Sequence, residues 1–430
     1  MKAMSPRLRR FALAAAIVIA IGAAGALAVM AGLFEPSVVE ASARTPLKAD
    51  EMKALVERGR YLARMADCAA CHTAEGGASF AGGRPFPMPF GTLYATNITP
   101  DPETGIGRWS RADFQRAVRD GIAPRGHLYP AMPYVSYRQL TAADTDAIYA
   151  YLMSRPPIRQ ENRVNTFPFD YVRLTLAFWN LLNLPSRGFE PVPSRPAEWN
   201  RGKYLVDALG HCGECHTPRD ITLGMIASRY LQGTRIEEVD APDVTPAGLA
   251  RMGFDAASLA RYLPAGMGPQ GVMNFSMYDV VHNSTRYLAA DDAKAMADYL
   301  MSSRPATSTP AASTAPISAA PSGNGRQTYV QLCSACHGVE GEGIPRVAPP
   351  MRTNASLRLV SPRNLLVVVT AGLPDRPLPG GERLQAMPGF GPLLDDRQTA
   401  DLVNYLRSAW GGTPATVTPD EVRAVRSSLP

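Results

Sequence analysis

Four cationic residues, Lys2, Arg7, Arg9 and Arg10, precede an uncharged run from Phe11 to Leu33, 23 residues long. That length suits a bilayer span and exceeds the usual apolar core of a secretory leader. The flanking cations place the N-terminus in the cytoplasm and the rest of the chain outside. Ala41-Ser42-Ala43 resembles a cleavage site but lies far beyond the apolar run, so an uncleaved anchor is favoured over a cleaved signal. Downstream, apolar positions take helical spacing in short pieces between Pro- and Gly-rich loops. Residues 48–66 predict a helix with Leu55, Tyr61 and Leu62 as apolar positions and Gly59 letting a neighbour approach. Trp109–Gly121 predicts a helix capped at Ser110, and Thr141–Met153 one opened by Thr141-Ala-Ala-Asp144 and stopped before Pro156 and Pro157. Phe169–Leu184 is a very apolar stretch of 16 residues, too short for a comfortable span. It reads either as a helix packed between domains or as a surface that docks on a partner subunit or the membrane interface. Ser302–Gly325, rich in Ser, Thr, Ala and Pro, reads as a flexible linker.

The helical pattern recurs three times. A middle helix ends in Gly at Gly121, Gly266 and Gly372, and a later helix carries Tyr151-Leu152, Tyr299-Leu300 and Tyr405-Leu406. Arg58-Gly-Arg-Tyr-Leu62 reappears as Arg201-Gly-Lys-Tyr-Leu205. The pattern divides the chain into a signal or anchor (1–43), a first domain (44–158), a connector with the apolar helix (159–198), a second domain (199–304), a linker (305–323), a third domain (324–412) and a polar tail (413–430).

Each repeat opens on the same five residues: Cys68-Ala-Ala-Cys71-His72, Cys212-Gly-Glu-Cys215-His216 and Cys333-Ser-Ala-Cys336-His337. Cys-x-x-Cys-His is the attachment pattern of c-type haem. Two thiols one helical turn apart add across the vinyl groups of the porphyrin, and the following His supplies an imidazole to the iron. The three copies use all six cysteines of the chain. Disulfides between cysteines so close are strained and need no His, and zinc sites draw four ligands from two nearby pairs, whereas these pairs lie more than a hundred residues apart. The composition agrees with small, loop-rich domains whose core is largely the cofactor: 39 Pro, 36 Gly and only 8% aromatic residues. The formal charge of +6 includes no Lys/Arg-rich run in the body of the chain, and the propionates of three haems would roughly cancel it. Nucleic acid is not supported.

The sixth iron position separates electron transfer from catalysis. A Met there closes the iron and raises its potential, whereas an open position suits catalysis or gas binding. Met132 and Met387 both stand in Ala-Met-Pro, 60 and 50 residues after their motif His, and 19 and 18 before the Tyr-Leu helix. In the second repeat Met277 lies 61 residues after His216 and 22 before Tyr299; Met273 is the alternative, and Met267 is nearby. His127 and His282 lie close enough to these methionines to substitute for them, while His211, next to Cys212, cannot reach across the same ring. The other ring nitrogen of each motif His should meet a backbone carbonyl. Pro85 and Pro349, 13 and 12 residues after their His, sit in loops suited to that task, and the second repeat has no counterpart after Pro218.

Ala95-Thr-Asn-Ile-Thr-Pro-Asp-Pro-Glu-Thr-Gly-Ile-Gly-Arg-Trp-Ser110, Leu128-Tyr-Pro-Ala-Met-Pro-Tyr134 and Met277-Tyr-Asp-Val-Val-His-Asn-Ser-Thr285 complete a resemblance that covers residues 50–412. The chain resembles the three-haem cytochrome c subunits of bacterial membrane-bound alcohol, gluconate, sorbitol, fructose and aldehyde dehydrogenases. The resemblance implies a mainly α protein of three tandem class I cytochrome c domains behind an N-terminal membrane anchor helix. It implies three covalent haem c groups held by Cys68, Cys71, Cys212, Cys215, Cys333 and Cys336, with His72, Met132, His216, Met277, His337 and Met387 on the irons. It implies a non-catalytic subunit on the periplasmic face of the bacterial inner membrane. Such a subunit takes electrons from a flavin, quinoprotein or molybdenum catalytic subunit, with or without a small subunit, and passes them to ubiquinone. No Gly-rich dinucleotide fingerprint and no nucleophile elbow is present. The other readings are an enzyme with one open catalytic haem and a free-standing, membrane-anchored electron carrier.

Overall fold

The computed structural model describes residues 6–30, 48–88, 91–166, 173, 175–302, 323–414 and 416–429. The linker, the Ala41-Ser42-Ala43 stretch and Phe169–Val172 lie outside the described residues, so the expectations placed on them stay with the sequence. The fold is mainly helical, and its described sheets are two-stranded antiparallel hairpins. The chain divides into two compact units: residues 1–60 with 71–190, and residues 61–70 with 191–430.

The first helix runs Pro6–Met30. Among the described residues no helix is long and apolar enough to cross a membrane, which leaves the expected anchor without structural support.

The predicted helices form, and their ends have local causes. Ala49–Met65 carries Asp50 and Glu51 in its first turn and Arg64 in its last, matching the helix dipole. Arg111–Asp120 begins in a reciprocal capping box between Ser110 and Asp113 and ends at Gly121, which is left-handed at φ 69°. Ala142–Met153 is capped by the Thr141 hydroxyl, which accepts from the Asp144 backbone N–H. Leu176–Asn183 is the described helix of the apolar stretch; Leu176 and Ala177 are buried, while Leu181 and Leu182 are exposed.

Each repeat closes by packing its first helix on its last through a glycine. A Cβ on Gly59 would strike the Ala147 carbonyl and the Tyr151 side chain. Gly202 stands in the same way against Ala295 and Tyr299, and Gly325 against Asp401 and Tyr405. The Tyr of each Tyr-Leu pair thus covers the crossing point. Beside these crossings Arg58 pairs with Asp144 and Arg201 with Asp292.

The stretch expected to be a polar tail is helical at Pro419–Arg426. Val422 and Val425 enter the core of the third repeat beside Leu366, Leu402, Val403 and Leu406. The alternation of two buried valines with Asp420, Glu421, Arg423 and Arg426 hides this amphipathic turn behind a polar composition.

Candidate haem sites

The three Cys-x-x-Cys-His stretches fold as short helices, Cys68–His72, Gly213–His216 and Ser334–His337, the last two following directly on Cys212 and Cys333. Helical spacing of i and i+3 turns both thiols of a pair to one face. None of the six cysteines is spent on a disulfide. Among the described residues no group of three or more His, Cys, Asp or Glu is placed to hold a metal ion, so the zinc arrangement has no geometry here.

Each motif His has its Nδ1 on a backbone carbonyl: His72 on Thr96 at 2.7 Å, His216 on Pro242 at 2.7 Å and His337 on Pro349 at 3.0 Å. A carbonyl only accepts, so Nδ1 carries the proton and the Nε2 lone pair is available to a metal. Burial lowers the pKa of all three imidazoles, with the carbonyl contact opposing it, which favours the neutral, ligating form. Pro349 is the expected partner. Pro85 is not: the acceptor in the first repeat is Thr96. The second repeat, expected to have no such proline after Pro218, uses Pro242.

The reason is a device common to all three repeats that the sequence does not announce. A left-handed glycine donates its N–H to the motif His carbonyl: Gly82 to His72 at 2.8 Å, Gly233 to His216 at 2.7 Å and Gly343 to His337 at 2.8 Å. Their φ angles are 78°, 81° and 75°. An antiparallel turn follows each glycine, and its return strand delivers the acceptor. In the first repeat Pro85–Met88 pairs with Gly91–Tyr94, and Thr96 comes just after. In the second Thr234–Ile236 pairs with Val239–Ala241, and Pro242 follows. In the third a single bridge joins Ile344 to Ala348, ahead of Pro349. Pro85 therefore sits on the outgoing strand, opposite Tyr94. A Cβ at any of the three glycines would collide with the returning backbone at Thr96–Asn97, Ala241–Asp243 or Ala348–Pro350.

The long motif Ala95–Ser110 builds the shelf behind His72. Asn97, 2% exposed, accepts from Thr99 through Oδ1 and donates through Nδ2 to Thr104 and the Ile158 carbonyl. Asp243 and Thr245 repeat the same turn beside His216.

The methionine loops hang from the glycine that ends each middle helix. In the first repeat the Leu128 N–H donates to the Gly121 carbonyl, and in the second the Met273 N–H donates to that of Gly266. Two-residue hairpins, Ile122–Ala123 with Gly126–His127 and Met267–Gly268 with Gly271–Val272, separate these groups in identical register. Met273 thus occupies the place of Leu128, and Met277, four residues on, is the counterpart of Met132. In the third repeat Leu373, after Gly372, exchanges two backbone hydrogen bonds of 2.9 Å with Met387. All three methionines are half-buried. His282 stacks on Tyr278 with ring centroids 5.7 Å apart, and His127 lies in the hairpin strand paired with Ile122.

Two thiols on one helical face, an imidazole with Nε2 available and a rigid carbonyl behind it fit a covalently bound haem, and together they define a c-type cytochrome. The comparisons with known proteins agree. The cytochrome c family model matches residues 41–156 and 322–410. The gluconate 2-dehydrogenase cytochrome c subunit of Pantoea cypripedii is 38% identical over 397 residues, 87% of this chain and 90% of that one. The cytochrome c subunit of alcohol dehydrogenase (quinone) of Gluconobacter oxydans is 36% identical over 403 residues, 88% and 84% of the two chains. A nicotinate dehydrogenase subunit of Pseudomonas putida is 43% identical over 364 residues, 82% of this chain, but the chain spans only 30% of that protein's length. The chain belongs to the family of cytochrome c subunits of dehydrogenases.

Proposed function

We propose that the chain is a three-haem electron-transfer subunit of a membrane-bound dehydrogenase. It receives electrons from a catalytic subunit of flavin, quinoprotein or molybdenum type and delivers them to ubiquinone. The observation that carries this reading is the Nδ1–carbonyl contact, made by all three motif histidines. Bound haem supplies a one-electron iron couple at each site. In this reading Cys68 and Cys71, Cys212 and Cys215, and Cys333 and Cys336 hold the three porphyrins. His72, His216 and His337 ligate through Nε2, held in orientation by Thr96, Pro242 and Pro349. Met132, Met277 and Met387 close the irons, which keeps water and substrates away from the metal and suits a relay rather than a catalyst.

The three repeats act as three cytochrome c domains, two of them within the second compact unit. The relatives' names supply the partner: each named relative is a dehydrogenase subunit. Membrane attachment is proposed to fall to residues 11–33. The cations before that run orient it, and the exposed Ile17, Val18, Ile19 and Ile21 offer an apolar surface suited to lipid. The body then lies on the periplasmic face of the bacterial inner membrane.

Purification of the tagged chain from detergent-solubilised membranes tests this reading. A catalytic subunit should co-purify, and its substrate should reduce the haems in the isolated complex, with a ubiquinone analogue reoxidising them. A chain that carries three haems but purifies alone, unreduced by any such substrate, is instead a free-standing carrier.

A further inference from the structure

The second site has a buried carboxylate where the other repeats carry a cation or an apolar residue. The residue five places beyond the crossing glycine is Arg64 in the first repeat, Asp207 in the second and Val330 in the third. Cys212 lies ten positions after Gly202, whereas Cys68 lies nine positions after Gly59. The extra residue is taken up by a π turn at Leu205–Leu209, closed by a 2.6 Å bond from the Gly210 N–H to the Leu205 carbonyl. Such turns are uncommon and recur at functional sites.

Asp207 sits in that turn, 8% exposed. Its Oδ1 accepts from the Tyr230 hydroxyl at 2.8 Å and the Tyr299 hydroxyl at 3.0 Å. Its Oδ2 accepts from Lys203 Nζ at 2.9 Å and again from Tyr299 at 3.0 Å. Both carboxylate oxygens are thus held by donors, one of them the Lys203 ammonium. The Tyr230 ring in turn lies against Gly213, inside the Cys-x-x-Cys-His stretch, where a Cβ would collide with it. A single tyrosine thus bridges the carboxylate and the haem motif. Burial first and the Asp207 charge second push the Cys212 thiol up to about 12.

We propose that Asp207 is a positioning residue of the second site that lowers the reduction potential of the haem held by Cys212, Cys215 and His216. A buried negative charge favours the ferric state, which carries one more positive charge than the ferrous. Lys203, paired with Oδ2 of the carboxylate, acts in the opposite sense. The inference rests on reading Cys212–His216 as a haem site.

Potentiometric titration of the purified, fully loaded protein, with haem content counted in each variant, tests the proposal. Asp207→Asn should make reduction of one of the three haems about tenfold easier, a rise of about 59 mV for a one-electron couple. Lys203→Met should move the same haem in the opposite direction. Opposite signs at one haem mark electrostatics; a structural disturbance would move both variants the same way. If Asp207→Asn fails to retain haem, Lys203→Met decides alone: a fall at one haem supports the proposal, and no change or a rise overturns it. Wild-type protein lacking haem on Cys212 and Cys215 would defeat the underlying site reading. Three bound haems with unmoved potentials would defeat only this inference.

Discussion

Gly233 shows at the scale of one residue what orients a motif histidine. Its N–H holds the His216 carbonyl, and its missing Cβ leaves room for the strand that ends at Pro242, the acceptor for His216 Nδ1. Gly233→Ala should cost about 1–3 kcal/mol through strain at positive φ and displacement of that strand. It should also weaken the Nδ1–H···O=C bond, making the imidazole a poorer donor to the iron and raising the potential of that haem alone. Thermal unfolding and a redox titration check both effects. Gly380→Ala is the control: its φ is 76° but nothing lies within 4 Å of a Cβ, so only the backbone penalty should appear. The histidines were legible in the sequence because the attachment chemistry fixes their spacing from the cysteines. Of the acceptors only Pro349 was, because the three lie 24, 26 and 12 residues downstream, at the ends of hairpins of different length. Pro85 looked right by analogy with Pro349, yet the longer hairpin of the first repeat carries the chain past it to Thr96.

At the scale of elements, the contact that closes each repeat is the glycine crossing of first and last helices. Gly202→Leu would drive a side chain into the Ala295 carbonyl and Tyr299, and the backbones cannot separate without opening the core at Leu205, Leu209 and Ala297. Overpacking of this kind costs about 1–3 kcal/mol or more, so the melting transition of the second repeat should fall by several degrees and its haem should be lost first on heating. An unchanged melt would show that the crossing is loose. Helix existence was legible here from apolar period, caps and terminal glycines, and the structure keeps those helices to within a residue or two. The π turn was not, since a one-residue difference between repeats is visible in the spacing but its absorption inside a helix is not. The Pro419–Arg426 helix was missed for a related reason: two valines among charges weigh little in composition, although both are buried.

At the scale of the whole molecule, the second and third repeats are braced within one unit. Asn364 donates to the Asp240 carbonyl at 2.8 Å and accepts from the Asp240 N–H at 2.7 Å, while Arg363 donates to the Glu238 carbonyl at 2.6 Å. Asp240 lies two residues before Pro242, so a side chain of the third repeat steadies the strand that orients His216. Tyr278, which follows Met277, donates to the Pro377 carbonyl at 2.9 Å and lies under the Arg376 guanidinium, 4.5 Å from the ring centroid. Asn364→Ala removes two hydrogen bonds worth about 1 kcal/mol each. Its redox titration should show the second haem shifted and the third unmoved; a shift confined to the third haem would show that the brace does not reach His216. None of these contacts follows a periodic pattern, because they join side chains to groups about a hundred residues or more away.

The central claim is that the chain relays electrons through closed irons, and carbon monoxide added to the fully reduced, fully loaded protein tests it most directly. With Met132, Met277 and Met387 on the irons, the wild type should bind none, and Met387→Ala should bind one equivalent per chain. Rapid binding to any haem of the wild-type protein would reveal an open iron and contradict the account.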